Sequence, residues 1–143
     1  MEDAPYPKMY LYRRLVLAKL FIDTHYAEAI DLDLIADEAS FSKFHFLKLF
    51  KTTYQKTPHQ YLMFVRVQKA MELLEQGRPV SEVCYAVGFE SLASFSLLFK
   101  RFSGLTPSAY LSQQQALRAE KAAAPLRFIP GCFAQSNGWL PEK

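Results

Sequence analysis

Apolar residues recur at helical spacing from near the start of the chain. Across residues 10–26, Leu11, Leu15, Ala18 and Ile22 fall three or four apart, which lines one side of a 3.6-residue helix. Asp31 is a favourable N-cap and predicts a short helix over residues 32–39. Ser42, following Phe41, caps a third helix reaching about residue 53. Pro58 stands where the first helical turn tolerates proline, and Tyr61, Leu62, Val65, Ala70, Leu73 and Leu74 carry an apolar stripe to Gln76 before Gly77 ends it. This predicts a helix of about five turns, roughly 28 Å at 1.5 Å per residue.

The same pattern then begins again. Residues 79–87 predict a short helix, Gly88-Phe89 a turn, Ser91 a cap and residues 92–102 another helix. TPHQYL at residues 57–62 returns as TPSAYL at 106–111, and Phe50-Lys51 returns as Phe99-Lys100, both 49 residues on. Phe41 returns as Phe89, 48 residues on, so one residue has been inserted between the turn and the end of the second copy's last helix. Everything else stays in register, as expected of a duplicated supersecondary unit.

Each copy is a short helix, a tight turn and a helix of about ten residues, the helix-turn-helix arrangement. The expected fold is all-α, with two helix-turn-helix subdomains (8–56 and 78–115), a long linker helix (57–77) and a C-terminal extension (116–143). The turns are Ala39-Ser40-Phe41 and Val87-Gly88-Phe89. Gly88 adopts positive φ without penalty, and Ser40 suits such a bend less well.

Splitting the second helix of each copy by face separates packing from contact. In the first copy Phe46, Leu49, Phe50 and Thr53 form the expected inward stripe, leaving Lys43, Phe44, Leu47, Lys48 and Lys51 outward. Three lysines suit a DNA groove, since lysine meets phosphate or guanine, and an outward Phe44 or Leu47 can meet a thymine methyl group. A solvated lysine face, with Phe44 at the edge of a core, accounts for the pattern equally well. In the second copy Phe95, Leu98, Phe99 and Phe102 are expected inward, and Leu92, Ala93, Ser96, Leu97 and Lys100 outward. That face is nearly uncharged, and Leu97 could pack on the C-terminal segment or a protein partner instead.

Composition changes this picture only in its distribution. With 143 residues, half of them hydrophobic, the chain can bury one ordinary core or two small ones sharing a wall. Its net charge of +3 is mild, but residues 1–40 hold four basic against eight acidic residues, while residues 41–115 hold nine against four. A net −4 followed by a net +5 suggests a polyanion partner for the middle of the chain. There is no run of eighteen apolar residues, and residues 1–8 carry acids and prolines where a signal peptide needs a basic end and an apolar run, so a cytoplasmic protein with no membrane partner is expected.

No reactive constellation emerges. Cys84 and Cys132 lie outside any CxxC or CxxH arrangement, and His25, His45 and His59 fall in three different elements, so no metal or cofactor is expected. His45 could donate to a phosphate or orient the turn. No nucleophile elbow, phosphate loop or carboxylate pair is present, and an enzyme is the least expected class. The segment LRFIPGCFAQSNGWLPEK is too rich in large apolar residues for a purely solvated tail, and packing back on the domain is expected.

The runs SKFHFLKLFKTTYQKTPHQYL, RVQKAMELL and VCYAVGFESLASFSLLFKRFSGLTPSAYL resemble the DNA-binding domain of AraC/XylS-type transcription regulators, over residues 8–115. The resemblance implies about seven helices, with both recognition helices entering successive major grooves of promoter DNA and the linker helix as a spacer. It places Phe44, Leu47 and Lys48 at base-reading positions in the first copy, and Leu92, Ala93, Ser96 and Leu97 in the second. The chain departs from the family pattern at Gln55, where glycine is expected and where the second copy keeps Gly104, and in the apolar side chains of its second recognition helix. A stand-alone monomeric regulator with RNA polymerase as a further partner is the expectation. The alternative is a protein-binding helical adaptor that has lost sequence reading in its second unit.

Overall fold

The computed structural model describes residues 5–38 and 42–123. The turn Ala39-Ser40-Phe41 and the apolar segment after residue 123 lie outside them. Among the described residues there are seven helices and no strand: α1 (Pro5–His25), α2 (Leu32–Glu38), α3 (Lys43–Tyr54), α4 (Pro58–Glu75), α5 (Val80–Ala86), α6 (Leu92–Ser103) and α7 (Pro107–Ala123). No helix among them is long and apolar enough to cross a membrane.

The expected caps form. Asp31 Oδ1 accepts from the Leu34 N–H at 2.8 Å, and the Ser42 and Ser91 hydroxyls accept from the third residue of α3 and α6. Thr57 and Gln60 close a reciprocal capping box at the start of α4, with Pro58 in its first turn. α4 ends at Glu75, and Gly77 with φ of 84° turns the chain out of it.

The duplication runs deeper than the motifs that reveal it. Leu15, Ala18 and Ile22 of α1 and Val67, Ala70 and Leu74 of α4 are equivalent positions 52 residues apart, and all six are buried. Asp23 and Glu75 share that spacing: Asp23 of α1 accepts from the Tyr61 hydroxyl at 2.5 Å, and Glu75 of α4 accepts from the hydroxyl of Tyr110, which lies 49 residues after Tyr61, at 2.6 Å. Tyr61 lies edge-on to Phe50 and Tyr110 edge-on to Phe99. The linker helix therefore does two jobs. It is the last helix of a unit formed by α1 to α4 and the first of a unit formed by α4 to α7, packing on α1 and α3 on one hand and on α5, α6 and α7 on the other.

Ile35 and Ala36 of α2 correspond to Val83 and Cys84 of α5, only 48 residues on. The path from first helix to second is thus four residues longer in the first unit than in the second. The extra chain lies in residues 26–31. The cores are built on Phe46 and Phe50 in one unit and Phe95 and Phe99 in the other, all fully buried. Each such ring stabilises the fold by about 1.5–3 kcal/mol.

Candidate nucleic-acid interface

Burial of two phenylalanines orients each recognition helix. Phe46 and Phe50 hold α3 by one side, so Phe44, Leu47, Lys48 and Lys51, spaced i, i+3, i+4 and i+7, share another. Phe44 is 84% exposed among the described residues, an unusual position for a phenylalanine. Lys48 and Lys51 are exposed beside it, while Leu47 is half-buried at the edge of the stripe. His45 is exposed in the first turn, and its backbone N–H donates to the Ser42 hydroxyl at 3.4 Å. Lys43 is exposed and lies 3.4 Å from Asp33 of α2. This surface ion pair is a weak restraint.

On α6, Ala93, Ser96, Leu97 and Lys100 repeat that spacing. Leu97 is 65% exposed and Leu92 42% exposed, so both present apolar surface to the outside of the described domain. Ser96 is half-buried, as its counterpart Leu47 is. The structure thus brings Phe44, Lys48 and Lys51 onto one open face, and sets Ala93, Leu97 and Lys100 at the matching positions of the second unit.

Two residues expected inward are not. Thr53 is exposed, and Phe102 is 41% exposed with its ring edge-on to Phe64, centroids 6.0 Å apart. Both lie in the last turn, where the helix has passed the end of its unit's core. In α3 the stripe is closed instead by Tyr54, which packs on Phe50 and Tyr61. Helical period identifies a side of a helix, not the length over which neighbours cover it.

Sequence reasoning also missed a basic cleft of about 440 Å³ between the α3–α4 turn and α6. Lys56, His59 and Arg101 line it above Met63, Leu98 and Phe102, with no acidic side chain among the lining residues. These positions are scattered over nearly fifty residues. The repeat alone offered a hint, since Arg101 is the counterpart of Thr52, one step beyond Lys100.

The turn after α3 accommodates its departure from the expected glycine. Gln55 has φ of 63° and Gly104 has φ of 83°, and each returns its N–H to the carbonyl four residues back, Lys51 and Lys100. The two recognition helices therefore end in the same left-handed step.

Residues 35–113 match the model of a helix-turn-helix domain. A probable transcriptional regulator of Photobacterium leiognathi, LumQ, is 34% identical over 97 residues, 67% of this chain and 39% of LumQ. The regulatory protein SoxS of Salmonella typhimurium is 30% identical over 91 residues, 63% of this chain and 85% of SoxS. The chain spans less than two fifths of LumQ and of two other regulators that it matches, from Bacillus subtilis and Pseudomonas aeruginosa. Among solved structures, the DNA-binding domain of the transcriptional factor AdpA, determined with a target DNA, superposes with a TM-score of 0.67. It is 29% identical, covering 78% of this chain and 96% of that one. A probable AraC family transcriptional regulator from Rhodopseudomonas palustris shares the fold, with a TM-score of 0.66 at 21% identity over 71% of this chain and 97% of that one. With its duplicated unit, its shared central helix and these relatives, the chain belongs to the AraC-type helix-turn-helix family of transcriptional regulators.

Proposed function

We propose that the chain binds double-stranded promoter DNA with sequence preference and thereby regulates transcription, each recognition helix entering one of two successive major grooves. The observation that carries this reading is the open face of α3. Phe44, Lys48 and Lys51 project from a helix whose opposite side is held by two fully buried phenylalanines. An uncovered aromatic flanked by lysines is costly to leave in water and suits a groove edge, where thymine methyls, guanine acceptors and phosphates lie side by side. The AdpA domain, of the same fold, was solved on a target DNA.

In this reading Phe44, Leu47 and Lys48 contact bases. Lys43, His45, Lys51 and Lys100 meet the backbone, and Lys43 exchanges its carboxylate for a phosphate. Leu92, Ala93, Ser96 and Leu97 supply shape and methyl contact, so the second unit positions the protein more than it discriminates sequence. One chain carries both units, and a bipartite site then needs a single cytoplasmic monomer, with RNA polymerase as the further partner.

The exposed Leu92 and Leu97 favour a second reading, in which α6 docks on a protein and the scaffold acts as an adaptor.

Selection from randomised duplexes at physiological salt separates the two. The regulator is expected to enrich one motif with two half-sites about ten base pairs apart. Binding without sequence preference at any salt concentration would favour the adaptor. Lys48→Ala is expected to weaken binding and alter preference at one base pair. Leu97→Ala is expected to change little, and a large sequence-selective loss there would shift discrimination to the second unit.

A further inference from the structure

Arg66, in the middle of α4, is only 8% exposed, the one charged side chain buried among the described residues. It belongs to the basic surplus of residues 41–115, yet its side chain is buried and not presented on the surface. Its Nε donates to the Tyr26 carbonyl at 2.6 Å and its Nη2 to the Glu28 carbonyl at 2.9 Å. Both acceptors belong to residues 26–31, the connection that is four residues longer in the first unit than in the second.

The second unit meets the same backbone. Gly88, the turn residue between α5 and α6, has φ of 98°, and a Cβ there would lie 3.0 Å from the carbonyl oxygens of Tyr26 and Ala27. Phe89, the next residue, packs its ring 5.8 Å from the Arg66 guanidinium. Burial lowers the affinity of this guanidinium for its proton, and the carboxylate of Glu90 partly restores it. A cleft beside the contact is bounded by Asp31, the cap of α2, and by Ser91 and Ser94 at the start of α6. The contact therefore sits at the base of both helix-turn-helix motifs.

We propose that Arg66 is a positioning residue that locks the turn of the second unit against residues 26–28 of the first, and so sets the distance between half-sites that the protein accepts. This rests on the DNA-binding reading above for its consequence, but not for the lock itself. A planar guanidinium can span two carbonyls at once, whereas a lysine offers a single point charge. A buried, charge-assisted pair of hydrogen bonds is also costly to leave half-made. Without the lock, the main packing between the two units runs through α4. Side-chain contacts along one helix permit small rotations that a second, off-axis contact forbids.

The test is selection on duplexes in which the two selected half-sites are separated by spacers of varied length, for the wild type, Arg66→Lys and Arg66→Gln. The wild type is expected to accept one spacing. The variants are expected to keep each half-site motif and to lose about tenfold of the preference for that spacing, the scale of one charge-assisted hydrogen bond. Variants that fold and retain the wild-type spacing preference would overturn the proposal. Gly88→Ala presses on the same contact from the other unit and is expected to relax or shift the spacing with Arg66 still in place.

A second measurement needs no DNA. Spin labels at Lys48→Cys and Leu97→Cys, in a Cys132→Ser background, report the separation of the two recognition helices. The distance distribution is expected to be narrow in the wild type and broader in Arg66→Gln. If the wild type selects no bipartite motif, the DNA reading fails and this distribution alone decides the lock, with an unchanged width refuting it.

Discussion

Gln55 occupies a backbone conformation that costs an L-residue about 1–2 kcal/mol, because its Cβ crowds the following carbonyl. It recovers part of this through its side-chain amide, which donates to the Thr52 carbonyl at 3.1 Å in an exposed position. Gln55→Gly should therefore stabilise the chain by roughly 0.5–1 kcal/mol, seen as a higher urea midpoint at unchanged slope. A lower midpoint would mean that the amide contact outweighs the strain. That Gln55 departs from the glycine of the second copy was legible from the repeat alone. That it adopts the glycine's conformation was not, since the turn could equally have changed shape. Arg66 shows the same limit: in the sequence it is one basic residue among nine, and only the two carbonyls 38 and 40 residues away reveal what it holds.

At the scale of elements, the paired Tyr61–Asp23 and Tyr110–Glu75 contacts fasten the first and last helices of each unit. Burial first, and then the bond to Glu75, push the Tyr110 hydroxyl up to about 12 from its ordinary value of 10.0. Tyr54 and Tyr61 are also raised, chiefly by burial. The folded state thus holds the proton more tightly than the unfolded chain does. The resulting stabilisation is fully present below pH 10, and it is lost as the pH rises from there through about 12. Tyr110→Phe should cost about 1 kcal/mol at neutral pH and flatten the alkaline fall in stability, measured by urea unfolding from pH 7 to 11. An equally steep alkaline fall in the variant would assign it to other groups. The caps at Asp31, Ser42 and Ser91 were legible because a cap bonds within three residues of itself, whereas the start of α4 was read from Pro58 and not from the Thr57 cap beside it. The ends of the inward stripes at Thr53 and Phe102 were misjudged, because coverage there depends on where the neighbouring helices stop.

For the molecule as a whole, the shared central helix joins the two units thermodynamically. Unfolding either unit strips one side of α4, so both are expected to unfold in a single transition with coincident circular dichroism and tyrosine fluorescence curves. Phe46→Ala and Phe95→Ala lie in different units, yet each should lower that one transition by about 3–5 kcal/mol. Two separate transitions, with each variant moving only one, would show that α4 does not couple them. By itself the sequence determined the first six helices, the caps at Asp31, Ser42 and Ser91, the two helix-turn-helix copies and the faces that α3 and α6 leave open. Period, capping and turn chemistry are local, and a repeat compares the chain with itself. Only the tertiary structure decided that the linker helix belongs to both units, that Arg66 is a buried fastener, and that Lys56, His59 and Arg101 meet in one cleft. Burial and pairing are set by residues distant in the chain, and no local pattern records which of them will meet.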